Sequence, residues 1–126
     1  MIVVCAGGGG VPVAVSPAGA IFGVEAVIDK DLAAALLARE LSADVLLLLT
    51  DVSAVQVGFG TPDARPLSRA TPQELRALAL AAGSMGPKAE AAARFADTGG
   101  RAVIAAMELA SEALAGSAGT SVELDR

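Results

Sequence analysis

Of nine basic residues in this 126-residue chain, seven are arginine and only Lys30 and Lys88 are lysine. Both lysines fall where a helix is expected to begin, Lys30 in "EAVIDKDLAAALL" and Lys88 in "GSMGPKAEAA". A helix N-terminus carries a partial positive charge, so a cation there is disfavoured by about 0.3–1 kcal/mol relative to an anion. Such a lysine either projects into water or faces a negative group. Lysine is a compact point charge, suited to following a phosphate where a planar guanidinium is too large. Asp29 and Asp31 flank Lys30 and supply the opposite charge. The plain alternative is that one of them caps the helix while Lys30 is solvated. In "GSMGPK", Ser84 and Gly86 likewise suit a simple turn with Pro87 opening the helix.

Two further stretches have a composition that can meet a phosphate or a nucleotide. Gly7, Gly8, Gly9 and Gly10 form a loop free of Cβ atoms, through which backbone N–H groups can approach an anion. It is followed by no Lys-Ser or Lys-Thr, so it is no P-loop, and it lacks the spacing G-x-G-x-x-G. Taken alone it is equally a structural turn. Thr50, Asp51 and Val52 end the run "DVLLLLTDV", at what would be the carboxyl end of a strand. Ligands of open α/β sheets bind there, against helix N-termini.

The elements that must position these residues alternate along the chain. Ile2–Ala6 reads as a buried strand, and Val11–Val15 and Ile21–Val27, flanking "SPAG", as a hairpin or a short excursion. A helix opens at Asp29 or Lys30, carries apolar Leu32, Ala35, Leu36 and Leu41, and ends near Ser42. "DVLLLLTDV" is a continuous apolar run, the signature of a strand covered on both faces, and is read as the central strand. Gly58–Pro66 is loop. "TPQEL" predicts a capped helix with Thr71 as N-cap, Pro72 at N1 and Glu74 at N3, broken by Gly83. A helix over Pro87–Asp97, a strand "RAVIAA", a helix "ELASEALAG" stopped by Gly116 and a short final strand "GTSVEL" complete the order. The pattern is that of one α/β domain, residues 1–126, with a mainly parallel sheet sandwiched by helices.

Composition narrows the chemistry. Hydrophobic residues are 54% of the chain, aromatics 2% and mean hydropathy is +0.62, so the core must be aliphatic. No apolar run reaches the 18 or more residues of a membrane span, and the start has no basic region before its apolar run. A cytoplasmic setting without membrane association is expected. With one cysteine and no histidine, disulfides, Cys/His zinc sites and histidine acid–base chemistry are excluded, and no metal-ligand cluster of the protein's own is expected. A net charge of −5 without a basic stripe argues against nucleic acid.

In their order, "AGGGGVPV", "GVEAVIDKDLAAALLA", "VLLLLTDVSAV", "FGTPDARPL", "GSMGPKAEAAARF" and the late "AGT" resemble the carbamate kinases of the amino-acid kinase superfamily. The resemblance runs over nearly the whole chain and corresponds to the family's C-terminal, nucleotide-binding half. It implies phosphoryl transfer between ATP and carbamate with magnesium, running from carbamoyl phosphate and ADP toward ATP in catabolism. By the same resemblance, Lys30 and Lys88 would neutralise phosphoryl groups and Asp31 would hold the lysines. Asp29 would stand behind them or on the metal's side. Thr50, Asp51, Val52 and the following loop would line base and ribose, and Met85 and Gly86 would approach the nucleotide. The family's chains are more than twice this length. The part without counterpart here carries a Gly-Gly-Asn loop, much of the carbamate pocket and another lysine. Two functions are therefore expected as alternatives: a kinase component that is catalytic once joined to an N-terminal half, or a stand-alone nucleotide-binding or degenerate module without phosphotransfer. Association is expected as well, with a separate N-terminal half or as a homo-oligomer, to cover apolar surface. If both lysines face phosphate, replacing either should weaken nucleotide binding and leave the ligand-free fold about as stable as before.

Overall fold

The computed structural model describes residues 1–78, 80 and 85–125. After an extended start come β1 (Val13–Val15), β2 (Ile21–Gly23), α1 (Lys30–Glu40) and β3 (Val45–Thr50). Three two-residue strands follow, β4 (Gln56–Val57), β5 (Arg65–Pro66) and β6 (Arg69–Ala70). The remainder comprises α2 (Pro72–Ala77), α3 (Met85–Ala96), β7 (Arg101–Ala106), a 3-10 turn at Met107–Leu109, α4 (Ala110–Ala115) and β8 (Thr120–Val122).

The main sheet has the order β3-β7-β8-β6, with β3/β7 and β6/β8 parallel and β7/β8 antiparallel. It is therefore mixed but mostly parallel. Pleating sends alternate residues of β7 to opposite faces. Ala102 and Ile104 join Leu46, Leu48, Ala35, Ala89, Ala92 and Phe95 on the face covered by α1 and α3, while Val103 and Ala105 meet Ala113 of α4 on the other. The sandwich of helices is thus present, and alanine predominates at its contacts. Small side chains let helices lie close to the sheet, which is how a chain so poor in aromatics fills its core.

Local signals act as the sequence predicts at several points. Thr71 accepts from Glu74 N–H while the Glu74 carboxylate accepts from Thr71 N–H, a complete capping box with Pro72 at the first helical position. Gly116, at φ +85°, ends α4 in the left-handed conformation, and Ser117 N–H returns to the Glu112 carbonyl. Of the two expectations for "SPAG", the hairpin forms, with arms confined to Val13–Val15 and Ile21–Gly23 and Ala14 opposite Phe22.

Other expectations are corrected. Ile2–Ala6 is not a strand: it has no strand partner among the described residues, and Ile2 and Val4 are almost wholly exposed. A β-branched run favours extension, yet a strand needs a neighbour to take its hydrogen bonds. β3 is an edge of the described sheet, not its centre. Its continuous apolar run reports that helices cover both faces, which says nothing about how many edges are paired. The loop Gly58–Pro66 ends in β5, which pairs with β4. On α1 the buried residues are Asp31, Ala35 and Ala38, whereas Leu36 and Leu41 are exposed. α2 stops at Ala77, and Gly83, its expected breaker, lies outside the described residues. α3 begins two residues before Pro87, since a proline in the first turn lacks only an N–H that has no helical partner anyway.

Ion pairs fasten α2 to α3. Arg76 donates from Nε to Glu90 at 3.0 Å and from a terminal nitrogen to Asp97 at 2.8 Å, and Arg94 donates to the other Glu90 oxygen at 2.8 Å. Bonds from Arg94 first, and also from Arg76, hold the Glu90 carboxyl below its ordinary range against the opposing effect of its partial burial. A carboxylate whose folded pKa is lowered stabilises the fold above its unfolded value, about 4.3, and loses that contribution as pH falls through the folded value. Thermal unfolding of the Glu90→Gln protein should accordingly show a shallower loss of Tm below about pH 4.5 than the parent; coincident Tm–pH curves would show that the pair contributes nothing.

Candidate functional site

A helix returning to the next parallel strand runs antiparallel to the strands, so its N-terminus lies at their carboxyl ends. β3 and β7 are parallel neighbours preceded by α1 and α3. The starts of both helices therefore gather at the edge where β3 ends in Thr50 and β7 in Ala106. Lys30 is the first residue of α1 and Lys88 the fourth of α3.

Between them stands Asp31. Lys88 Nζ donates to both of its carboxylate oxygens, at 3.1 Å to Oδ1 and 3.0 Å to Oδ2, and this pair is buried, with Asp31 7% and Lys88 6% exposed. Lys30 Nζ reaches Oδ2 at 3.4 Å from a side chain that is 66% exposed. Asp29 is the N-cap of α1: its Oδ1 accepts from the N–H groups of Asp31 and Leu32, each at 2.9 Å. One carboxylate thus closes the helix end and the other serves the lysines. The capping half of the plain alternative holds for Asp29, and Lys30 is largely solvated, but Lys88 is not.

This arrangement changes one expectation. Lys88 is tolerated at a positive helix end because Asp31 compensates it in the ligand-free protein. Its removal would strand a buried carboxylate, so the ligand-free fold cannot be indifferent to it.

The remaining candidates differ in how closely they join this cluster. Gly9, at φ +121°, lies so near the chain before α1 that a Cβ would stand 2.7 Å from the Ile28 carbonyl oxygen. The glycine loop is thereby set beside the Asp29 cap, with Gly7, Gly8 and Gly10 exposed. Thr50 donates its hydroxyl to the exposed Asp51 carboxylate at 3.1 Å, and Val52 follows half-buried. They share the strand edge with the lysines, but no bond between the two groups is present among the described residues. Met85 packs partly buried against the core, and Gly86 lines a hollow of about 200 Å³ with Leu75, Arg76, Leu80, Ala89 and Glu90. Ser84 lies outside the described residues. Among the described residues no three of Asp, Glu and Cys cluster as metal ligands, and no helix is long and apolar enough to cross a membrane. Sequence reasoning did not single out Thr120, fully buried with its hydroxyl between two loop segments. Its one signal was its place in the late "AGT" that carries the family resemblance, to which no role was attached.

The model of the amino acid kinase family matches residues 1–106. The chain belongs to that family. It is 51% identical over 124 residues to a carbamate kinase of Escherichia coli O6:H1, covering 98% of this chain and 40% of the relative. Against a carbamate kinase of Thermococcus kodakarensis it is 49% identical over 126 residues, again 40% of that relative. The carbamate kinase from Giardia lamblia bound to AMP-PNP superposes with a TM-score of 0.90 at 43% identity, over 96% of this chain and 44% of that one. The chain thus spans about 40% of the length of the relatives it matches, and its fold is that of an amino acid kinase.

The Lys88–Asp31 contact generates a prediction that separates the two lysines. Lys88→Met should lower unfolding free energy by about 3–5 kcal/mol, as for other buried pairs broken on one side. Lys30→Met should stay within about 0.5 kcal/mol of the parent, as is usual for exposed substitutions. Urea denaturation measures both. Equal stability of the two variants would mean that the buried pair is not formed in solution.

Proposed function

We propose that this chain is the nucleotide-binding, C-terminal part of a carbamate kinase, catalysing reversible phosphoryl transfer between ATP and carbamate. The observation that carries the reading is the Lys30–Asp31–Lys88 cluster at two helix N-termini on one edge of the sheet. Lys88 has three N–H donors, two of which go to Asp31, leaving one for an incoming oxygen. Lys30, exposed beside it, can swing to a second oxygen. The partial positive charge of both helix ends adds to them. Phosphoryl transfer proceeds through a loose transition state with charge spread over the equatorial oxygens, so holding and neutralising that group is the main task of the protein. Asp31 fixes the lysines at the required positions, and Asp29 orients the α1 end by capping it. This chemistry needs no histidine.

The carbamate kinases at about 50% identity support the substrate assignment, and the AMP-PNP complex of the Giardia enzyme supports nucleotide as ligand. Gly7, Gly8, Gly9 and Gly10, with Thr50, Asp51, Val52, Met85 and Gly86, would border ATP or ADP. Magnesium would accompany the phosphates and supply further charge neutralisation. It is commonly held by substrate phosphates and one or two carboxylates, so it requires no larger cluster, and Asp29, next in sequence to Lys30, is the candidate. In the catabolic direction carbamoyl phosphate and ADP would yield ATP, a cytoplasmic step of arginine breakdown.

A second reading is a nucleotide-binding or degenerate module without transfer activity, since the chain spans 40% of the relative it matches and the resemblance assigns much of the carbamate pocket to the rest. Apolar surface bears on the same point. Val27, Phe22 and Ile21 are exposed, and a groove of about 640 Å³ lined by Val27, Ile28, Leu32, Leu36 and Leu37 runs along α1. Such surface suits a homo-oligomer or a separate N-terminal half.

The chain should bind Mg-ATP or Mg-ADP by calorimetry, while Lys30→Met weakens that binding by about 1.5–3 kcal/mol, the value of a charge-assisted bond. Its turnover of carbamoyl phosphate with ADP should lie far below the 1–100 per second usual for kinases, and rise when the remaining portion of a carbamate kinase is supplied. Ordinary kinase rates from the chain alone would overturn the division of labour; no nucleotide binding would overturn the site.

A further inference from the structure

The segment from Asp51 to Leu67 leaves the sheet edge directly after Thr50 and returns just before β6. Its stem is a short antiparallel ladder in which Gln56 faces Pro66 and Val57 faces Arg65. Continued by one position, the same register opposes Val55 and Leu67, and Leu67 N–H does donate to the Val55 carbonyl at 2.8 Å. In an ordinary antiparallel pair the reciprocal bond would run from Val55 N–H to the Leu67 carbonyl. Here the Thr120 hydroxyl occupies that place. It accepts from Val55 N–H at 2.9 Å and donates to the Leu67 carbonyl at 2.6 Å.

The inserted group is itself fixed. Thr120 and Val55 are fully buried, and Thr120 pairs with Ile104 across β7 and β8. Gly119, at φ +80°, brings the preceding chain so close to β7 that a Cβ would lie 2.7 Å from the Ile104 carbonyl oxygen. The strand that bears the hydroxyl is therefore held by the core, and the hydroxyl holds both strands of the loop stem. Val55 is three residues from Val52.

We infer that Thr120 is a positioning residue for the nucleotide's base and ribose, clamping the stem of the Asp51–Leu67 loop so that Thr50, Asp51 and Val52 stand in one place at the strand edge. This rests on the nucleotide-binding reading above. The lysine cluster belongs to α1 and α3 and shares no hydrogen bond with Thr120 among the described residues, so release of the clamp should act on the base and ribose side rather than on the phosphate side.

The test compares the parent chain with Thr120→Val, which keeps the shape and removes the hydroxyl, and with Thr120→Ser, which keeps the hydroxyl. Thr120→Ala is a second hydroxyl-free variant should the valine protein fail to fold. Calorimetric titrations use ADP and inorganic tripolyphosphate, and amide hydrogen exchange is followed without ligand. Loss of the hydroxyl should weaken ADP about tenfold and leave tripolyphosphate within about twofold, because only the loop is released. Exchange over residues 51–67 should quicken while β7 and α3 keep their protection, and serine should restore both readouts. Equal weakening of ADP and tripolyphosphate, or unchanged exchange over residues 51–67, would overturn the inference. A parent chain that binds tripolyphosphate but not ADP would overturn it as well. Binding of neither ligand by the parent would remove the proposed function and this role of Thr120 with it, and hydrogen exchange alone would then report whether the clamp exists.

Discussion

The bond on which the site depends joins residues 57 positions apart in the chain: the Asp31 carboxylate receives Lys88 through both oxygens in a buried setting. Burial of a charged pair costs desolvation that good geometry only roughly offsets, so its net contribution to stability is small. Its effect on geometry is not. An unpaired charge in that position is so unfavourable that α1 and α3 are held to an arrangement in which the two groups meet. The buried pair and the core packing of α1 and α3 thus agree on where the helix starts, and with them Lys30 and Lys88, lie. A guanidinium would offer Asp31 a planar fork and present its other donors in fixed directions, whereas an ammonium keeps one N–H free to turn toward a third group.

What the sequence made legible was mostly local. Caps, turns and helix ends could be read because each depends on two to four neighbouring residues, as Thr71 and Glu74 or Gly116 and Ser117 show. Strand existence was legible where an apolar run is covered on both faces, as in Val45–Thr50 and Arg101–Ala106. Strand order was not, because pairing is a relation between distant segments and leaves no periodic trace. The same reason explains Ile2–Ala6, whose residue types favour extension whether or not a neighbour is beside them.

The site divides in the same way. That two lysines at helix starts mattered could be argued from residue usage and the helix dipole. That Lys88 is buried against Asp31 while Lys30 is exposed could not, since the side of α3 that faces α1 depends on the packing of Ala89, Ala92 and Phe95 against the sheet. Thr120 was illegible for a further reason. A threonine in a β-strand is unremarkable by type, and its importance lies wholly in bonds to Val55 and Leu67, 65 and 53 residues away.

These features share one reference element, and it is β7 rather than β3. α3, which carries Lys88, leads directly into β7. β3 pairs with it so that Thr50 lies opposite Ala106, and β8 pairs on the other side so that Thr120 lies opposite Ile104. The end of β3, the helix that bears the buried lysine and the strand that clamps the loop are thus all indexed to the same six residues, five of them buried. A shift of β3 against β7 by one position would turn its side chains to the opposite face, exchanging the α1 side for the α4 side. Such a slip would bring Leu47 in place of Leu48 against Ala35 and Phe95. Because packing forbids it, the spacing between Thr50 and the lysine cluster is set by the core, and β7 transmits that spacing to both sides of the site.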